Sequence, residues 1–443
     1  MSQRTTGVRL RTSGHRSLHA SVLVHGRDSQ MADTRKPRSK IFVDLFNTEK
    51  SSGGLLVICT IVSLALANSA GGHTYQDFWR LKIGGLTLVH WINDASMAVF
   101  FLFIGLELKR ELYVGELSKI KNALLPVAGA IGGIAVPAAI HLTLNFGTPT
   151  QAGVGIPMAT DIAFALAALA LLGNRVPLSL KVFLTALAVI DDLGAIVAIA
   201  VFYSTTFSMF YVLSALVIFA VLVSLNRVFR VKSLVPYLFG GALMWIAVFM
   251  SGVHATIAGV LLAFAIPFSA TVENMRSPSY RLEHSLRRPV GLVILPMFAL
   301  ANTAILVDSG WQQHLLSSNS IGILAGLVLG KPLGITAFSF LAVASGLCRL
   351  PADLNWRHIA GAGLLAGIGF TMAVFITNLA FTGAAGTINA SKMAILFASV
   401  TAGALGILWL RFMGPTAAPR ARPGQSRRDI WLAPRSASSG PSV

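Results

Sequence analysis

Charge is scarce in this sequence. Asp, Glu, Lys and Arg together make up 12% of its 443 residues, about half the share of a soluble domain. Cysteine is scarcer: Cys59 and Cys348 are the only two, so no disulfide framework is implied, and no Cys/His cluster suits a transition metal. No apolar stretch of the signal-peptide kind precedes position 41. What remains is apolar, 54% of the chain, and it comes in blocks. Residues 55–67, 195–201 and 211–225 carry no charge at all. Uncharged apolar runs of about 20 residues match a hydrocarbon core of about 30 Å crossed at about 1.5 Å per residue. One or two such runs could be core helices of a soluble domain. About a dozen could not, because no soluble domain has that much interior.

The formal net charge of +18 invites a nucleic-acid reading, but its distribution argues against one. Residues 1–40 carry nine basic side chains against Asp28 and Asp33. Residues 414–443 carry Arg420, Arg422, Arg427, Arg428 and Arg435 against Asp429. The two tails supply eleven of the eighteen net charges. No basic module interleaved with aromatics follows either one, so no nucleic-acid partner is expected. Composition makes residues 1–43 a basic, disordered extension on the cytoplasmic side. An upstream start, with Met31 the true first residue, or an organellar transit peptide has the same composition. Residues 414–443, rich in Pro, Ser, Ala and Arg, are expected to form a second disordered tail.

Between the tails, residues 44–413 read as one all-α polytopic membrane domain. It has about twelve transmembrane helices, at roughly 52–69, 93–113, 122–145, 149–171, 178–203, 209–226, 235–249, 252–267, 289–304, 320–343, 357–381 and 389–411. The loops test this count. With a cytoplasmic N-terminus, the inward loops hold Lys109, Arg110, Lys119 and Lys121, then Arg175, then Arg227, Arg230 and Lys232. Arg276, Arg281, Arg287 and Arg288 follow, and then Arg349 and Arg357. The outward loops hold only Arg80 and Lys82. That asymmetry is the one expected of the positive-inside rule, with both termini in the cytoplasm.

A charged side chain at mid-bilayer is costly, so one kept there marks a functional site by default. Residues 148–226 hold five charges: Asp161, Arg175, Lys181, Asp191 and Asp192. Arg175 and Lys181 flank the turn Gly173-Asn174-Arg175-Val176-Pro177. Asp161 lies about eleven residues before it, roughly 16 Å, and Asp191 about thirteen residues beyond Leu178, roughly 20 Å. Two antiparallel neighbours thus bring carboxylates to one depth, away from the helix ends. Asp191 and Asp192 differ by about 100° around their helix and face different neighbours. One buried Asp could be a neutral packing residue; three at one depth read as a site that trades protons for a hard cation. Carboxylate, hydroxyl and carbonyl oxygens suit sodium or lithium.

The surroundings extend this site. Pro157, which lacks a backbone donor, disturbs the helix before Thr160 and Asp161, freeing carbonyls and the Thr160 hydroxyl as ligands. A matching break is expected where Gly361, Gly363, Gly367 and Gly369 cluster before Thr371, unless those glycines serve tight helix packing. Lys331 is the only basic residue of its helix, near the midplane, and an aspartate of the helix carrying Asp191 and Asp192 is its natural counter-ion. Glu107 and Glu111, at i and i+4, share a helix face. They read either as a cation funnel or as ordinary helix-end charges. Asp94 opens the same helix. His254 and the pair Glu283-His284 are titratable near neutral pH and are either pH sensors or satisfied packing residues.

Taken together, these residues resemble the NhaA family of bacterial sodium/proton antiporters. The carrying motifs are Trp91-Ile92-Asn93-Asp94, Gly105-Leu106-Glu107-Leu108-Lys109-Arg110-Glu111-Leu112, Ile156-Pro157-Met158-Ala159-Thr160-Asp161 and Ala188-Val189-Ile190-Asp191-Asp192-Leu193-Gly194. Further matches lie at 251–259, 281–284, 330–334 and 367–372. The similarity covers about residues 44–413, in order. It implies a twelve-helix fold of two inverted repeats, with the fourth and eleventh helices interrupted and crossing. By matched position, Asp191 and Asp192 would bind the cation and protons. Asp161 and Thr160 would sit at the crossing and balance half-helix dipoles, and Lys331 would pair with Asp191 in the cation-free state. Glu107, Glu111, Glu283, His254, His284 and Asp94 would serve pH regulation or a cytoplasmic funnel. The resemblance further implies a bacterial inner membrane, no cofactor beyond the transported Na+, Li+ and H+, and a homodimer formed through an outward hairpin. Two features depart from the best-known members. Arg287-Arg288 follows His284, and the outward segment around residues 70–90 is short, so that hairpin and its homodimer do not follow automatically.

The reading is electrogenic, pH-regulated exchange of sodium or lithium for protons, at one site open alternately to each side of the membrane. A sodium-coupled solute symporter would need a larger polar cavity, and no further intramembrane polar cluster is visible. An intramembrane aspartyl protease also needs two membrane aspartates at one depth, but the Gly-x-Gly-Asp and Tyr-Asp signatures are absent. A transporter rather than an enzyme is expected.

Overall fold

Long apolar runs without alternation fold as helix along most of the described residues. The computed structural model describes residues 38–203, 208–269, 277–307 and 310–412. Of the expected N-terminal extension, residues 1–37 lie outside the described residues, as do Arg276 and the tail expected over 414–443. Residues from Leu45 onward form one compact unit, and it is this unit that carries the site.

Its helices are α1 (Arg38–Ala67), α2 (Gly72–Arg80), α3 (Leu88–Tyr113), α4 (Ile120–Asn145), α5 (Ile162–Leu171) and α6 (Leu178–Phe202). There follow α7 (Met209–Arg227), α8 (Val235–Ser251), α9 (Ile257–Ala265), α10 (Pro278–Pro289), α11 (Leu295–Asn302) and α12 (Trp311–Leu315). The last four are α13 (Ser318–Ala344), α14 (Trp356–Ala366), α15 (Phe370–Ala380) and α16 (Ala385–Phe412). Every one of the twelve segments expected from hydropathy is helical over most of its length. Among the described residues, seven helices are long and apolar enough to cross a membrane, or nine if each of two bent pairs is one span. Large apolar side chains such as Ile61, Val217, Phe239 and Val400 are exposed on their outer faces. A belt of that kind marks a protein solvated by lipid.

The irregular turns are few and localised. Wide π-turns interrupt α3 at Trp91–Ser96, precede α11 at Val290–Ile294 and interrupt α13 at Gly326–Gly330. A 3-10 segment, Gln151–Met158, leads into α5 through extended backbone, and α14 breaks from α15 with a 48° bend. Such interruptions inside apolar helices mark functional positions more often than flexible ones.

Two expectations are corrected. The short outward segment does carry a hairpin, of two residues per strand: Lys82 pairs with Thr87 and Ile83 with Leu86. Lys109, expected in an inward loop, is instead buried within α3. Its ammonium donates to the carbonyls of Ala263 at 3.2 Å, Phe264 at 2.9 Å and Ile266 at 2.5 Å. The last carbonyls of α9 have no intrahelical donors, and a cation supplies them where water cannot.

Backbone approaches backbone closely, from both sides, between α4 and α13. A Cβ added at Gly132 would lie 2.1 Å from the Gly334 carbonyl oxygen, and one added at Gly334 would lie 2.1 Å from that of Gly132. Only glycine fits on both sides. Gly132→Ala should therefore lower the thermal unfolding midpoint in detergent, by an overpacking cost of about 1–3 kcal/mol. An unchanged midpoint would show that the crossing can open.

Candidate functional site

The site begins where the two chain breaks touch. Residue 161 is the N-cap of α5, and its Oδ1 accepts the Phe164 N–H at 3.1 Å. Its other oxygen, Oδ2, accepts the Thr371 N–H of α15 at 3.0 Å and also the Thr371 hydroxyl. One carboxylate thus closes the N-termini of two half-helices, each with orphan donors and a positive dipole end. The expectation that all three aspartates stand clear of helix ends fails for Asp161, because the break makes a helix end inside the protein. The breaks are also joined directly. The Asp161 N–H donates to the Ile368 carbonyl at 2.6 Å and the Thr160 hydroxyl to the Ala366 carbonyl at 2.9 Å. Gly367 is needed for this approach, since a Cβ there would meet the Leu327 carbonyl oxygen at 2.4 Å.

Lys331 enters from α13, with no exposed surface. Its ammonium donates to the Thr160 hydroxyl at 2.8 Å and forms an ion pair with Asp191 Oδ2. The partner expected from the sequence is the one observed. Asp192 lines a cavity with Thr160, Asp161 and Thr371. This cavity, of about 80 Å³, extends to Glu107 and Arg287 near the last turn of α3. Asp191 Oδ1 and Asp192 Oδ1 are buried and accept no hydrogen bond among the described residues. Buried carboxylate oxygens rarely stay unpartnered. Two of them beside a lysine suit a small hard cation that competes with an ammonium and with protons. Among the described residues no group of three His, Cys, Asp or Glu side chains gathers as a metal cluster.

At the Glu107 end, five charges interlock. Arg110 donates to Glu283 at 2.8 Å and to Glu111 at 3.2 Å, and it reaches Glu107 at 3.5 Å. Arg287 donates to Glu283 at 3.2 Å and lies 3.9 Å from Glu107. Glu283 is 3% exposed. Burial pushes its carboxyl above the usual range, against the pull of Arg110 and Arg287.

The other sensor candidates do not join this cluster. His284 is exposed and lies parallel to the Tyr280 ring at 6.2 Å, turned away from Glu283 by the helical step. Asp94 and His254 meet at the opposite end of α3, with His254 Nε2 3.9 Å from Asp94 Oδ1. Thirteen residues separate Asp94 from Glu107, roughly 20 Å of helix, so Asp94 cannot share their mouth. The partners that sequence reasoning left without a role are Thr371, Arg110 and Arg287. Thr371 ends the glycine-rich break and carried a signal; the two arginines were hidden among ordinary helix-end charges.

The chain matches the family described as Na+/H+ antiporter 1 over residues 43–410. It is 67% identical over 382 residues to the Na(+)/H(+) antiporter NhaA of Dechloromonas aromatica, covering 86% of this chain and 98% of that protein. It is 56% identical over 373 residues to the protein of that name from Cytophaga hutchinsonii, covering 84% and 95%. Identity to the one from Shewanella loihica is 48% over 376 residues, covering 82% and 95%.

Two measurements check the electrostatics. Lys331→Met or Asp191→Asn alone strands a buried charge and should cost about 3–5 kcal/mol of stability, and the double variant should recover most of it. Additive losses would show that the pair is not coupled. The second concerns Glu283. Its folded carboxyl holds a proton to higher pH than the unfolded one, so its contribution to stability is full at acid pH and is lost as pH rises through the raised value. Unfolding midpoints of wild type and Glu283→Gln should therefore diverge with rising pH, the wild type losing stability relative to the variant; parallel profiles would refute the assignment.

Proposed function

The chain belongs to the Na+/H+ antiporter family, and on that premise we propose how this multi-pass helical membrane protein exchanges sodium for protons. The observation that carries the account is the pair of unpartnered oxygens, Asp191 Oδ1 and Asp192 Oδ1, beside the Lys331 ammonium. Sodium enters past Glu107 and reaches Asp192 and Asp191, with the Thr160 hydroxyl beside them. An ion that takes Asp191 deprives Lys331 of its counter-charge, and an ammonium alone in an apolar site sheds its proton. Asp192 releases a second proton on becoming a ligand. Two protons against one sodium make the exchange electrogenic, and lithium fits the same oxygen set. Asp161 holds the crossing together throughout. On the other side of the membrane protons return and displace the ion, so the cargo ions are the only non-protein groups required.

The architecture we propose is twelve spans in two inverted repeats. The Gln151–Met158 segment with α5, and α14 with α15, serve as the interrupted fourth and eleventh helices. The Lys- and Arg-rich loops support cytoplasmic termini in a bacterial inner membrane. Glu107, Glu111 and Glu283, locked by Arg110 and Arg287, form the regulated cytoplasmic mouth, and His254 with Asp94 belongs to the outward side. The short hairpin at Lys82–Thr87 is the surface through which a homodimer would pair. The symporter alternative has no support, since the matched family and the relatives are antiporters.

Everted vesicles carrying the chain and loaded with a pH-gradient dye provide the test. Sodium or lithium should restore fluorescence and potassium should not, and Asp192→Asn should reduce the response to background. A variant as active as the parent would remove Asp192 from the exchange site.

A further inference from the structure

On α15, Thr371, Phe375 and Asn378 lie at i, i+4 and i+7, on one helix face. Each belongs to a different layer. Thr371 binds Asp161 in the ion site. One turn on, Phe375 packs against Phe101 of α3 at 5.7 Å, Phe298 of α11 at 6.4 Å and His254 at 5.4 Å between ring centroids. Beyond it, Asn378 Nδ2 donates to Asn302 Oδ1 at 2.7 Å. Asn302 Nδ2 donates in turn to Asn93 Oδ1 at 2.8 Å and to the Phe298 carbonyl at 3.1 Å, while Asn93 Nδ2 donates to Asn302 Oδ1 at 3.4 Å. Three amides from three elements are closed on one another: the π-turn of α3, the last residue of α11, and α15. They sit about 10 Å along α15 from Thr371, across the phenylalanine layer from the ion cavity, which extends the other way to Glu107 and Arg287.

We propose that the Asn93–Asn302–Asn378 network is a latch that holds α15 to α3 and α11 and keeps the outward approach to Asp192 closed, so that these three are positioning residues for the exchange. The proposal rests on the antiporter reading and adds the element that must part when the site turns outward. An apolar layer blocks ions but is non-directional and tolerates sliding. Amide pairs fix register, and on opening they exchange each other for water at small net cost. The latch is therefore strong enough to bias a two-state element and weak enough to reverse. Asp94 and His254 stand beside Asn93 and Phe375, but the three amides carry no charge, so the latch itself does not titrate.

The test uses the full chain in proteoliposomes of uniform orientation, with Asn378→Ala and Asn93→Ala compared with the parent. Ile196→Cys, in a background with Cys59 and Cys348 replaced by Ser, reports on the closely packed layer that Ile196 forms with Phe101 and Thr256. A membrane-impermeant thiol reagent is added on the side opposite the Glu107 mouth. Each variant should raise the labelling rate roughly fivefold, the weight of one or two amide bonds. The KM for sodium presented at the Glu107 mouth should change little, because most molecules still face that way. Unchanged labelling in both variants overturns the latch. So does lost transport with unchanged labelling, which would make the amides mere supports of the fold. Failure of the antiporter reading is seen separately, as absent sodium-driven proton flux in the parent.

Discussion

The structure around the site depends on one constraint: a helix broken inside an apolar interior must find partners for its backbone ends without water. Asp161 meets it for two helices at once, accepting from Phe164 at the start of α5 and from Thr371 at the start of α15. The Thr160 hydroxyl meets it for the Ala366 carbonyl at the end of α14. Once the breaks are satisfied this way they cannot be moved independently, and every other member of the site is placed against them. Gly367 is required because backbone passes backbone there. Lys331 reaches Thr160 because the break turns that hydroxyl toward α13.

In the proposed exchange, this division separates scaffold from ion site. Asp161 has its oxygens occupied by fixed donors from both half-helices, so an ion could take it only by undoing the crossing. Asp191 and Asp192 each keep an oxygen with no partner among the described residues. Asp191 also faces an ammonium whose position is fixed by a second acceptor, Thr160. A cation at Asp191 must therefore compete with a charge that is already in place and cannot retreat to water, since Lys331 has no exposed surface. Competition of that kind, rather than strong binding, is what an exchanger requires, because the ion has to leave on the other side.

Much of this was legible in the sequence because intramembrane charge is rare. Asp161, Asp191, Asp192 and Lys331 stood out against long uncharged runs, and helix geometry alone put them at one depth. That Lys331 pairs with an aspartate of α6 followed from the need of a buried ammonium for a counter-ion, and the family resemblance pointed to Asp191. Residues whose role depends on tertiary partners were not legible. Lys109 reads as a loop cation and is instead the donor that ends α9. His284 reads like its neighbour Glu283, yet one helical step sends it outward while Glu283 turns in toward Arg110. Asp94 and His254, far apart in sequence, meet at the end of α3 away from Glu107, which no periodicity could reveal. The hairpin of two-residue strands is too short for any alternation to be read.

The two ends of α3 are built on different physics. At the Glu107 end, three carboxyl and two guanidinium groups share hydrogen bonds beside the cavity. Burial holds the Glu283 carboxyl above the usual range, so the charge of this cluster varies with protonation. At the Asn93 end the contacts are amide to amide, with Phe101, Phe298 and Phe375 behind them. Neutral amides neither attract ions nor respond to pH, so the latch itself acts through geometry, with the titratable pair Asp94 and His254 beside it. A cavity that reaches only the charged end follows from this asymmetry: a charged cluster holds its shape while hydrated, whereas a neutral barrier is closed unless its hydrogen bonds are exchanged for water.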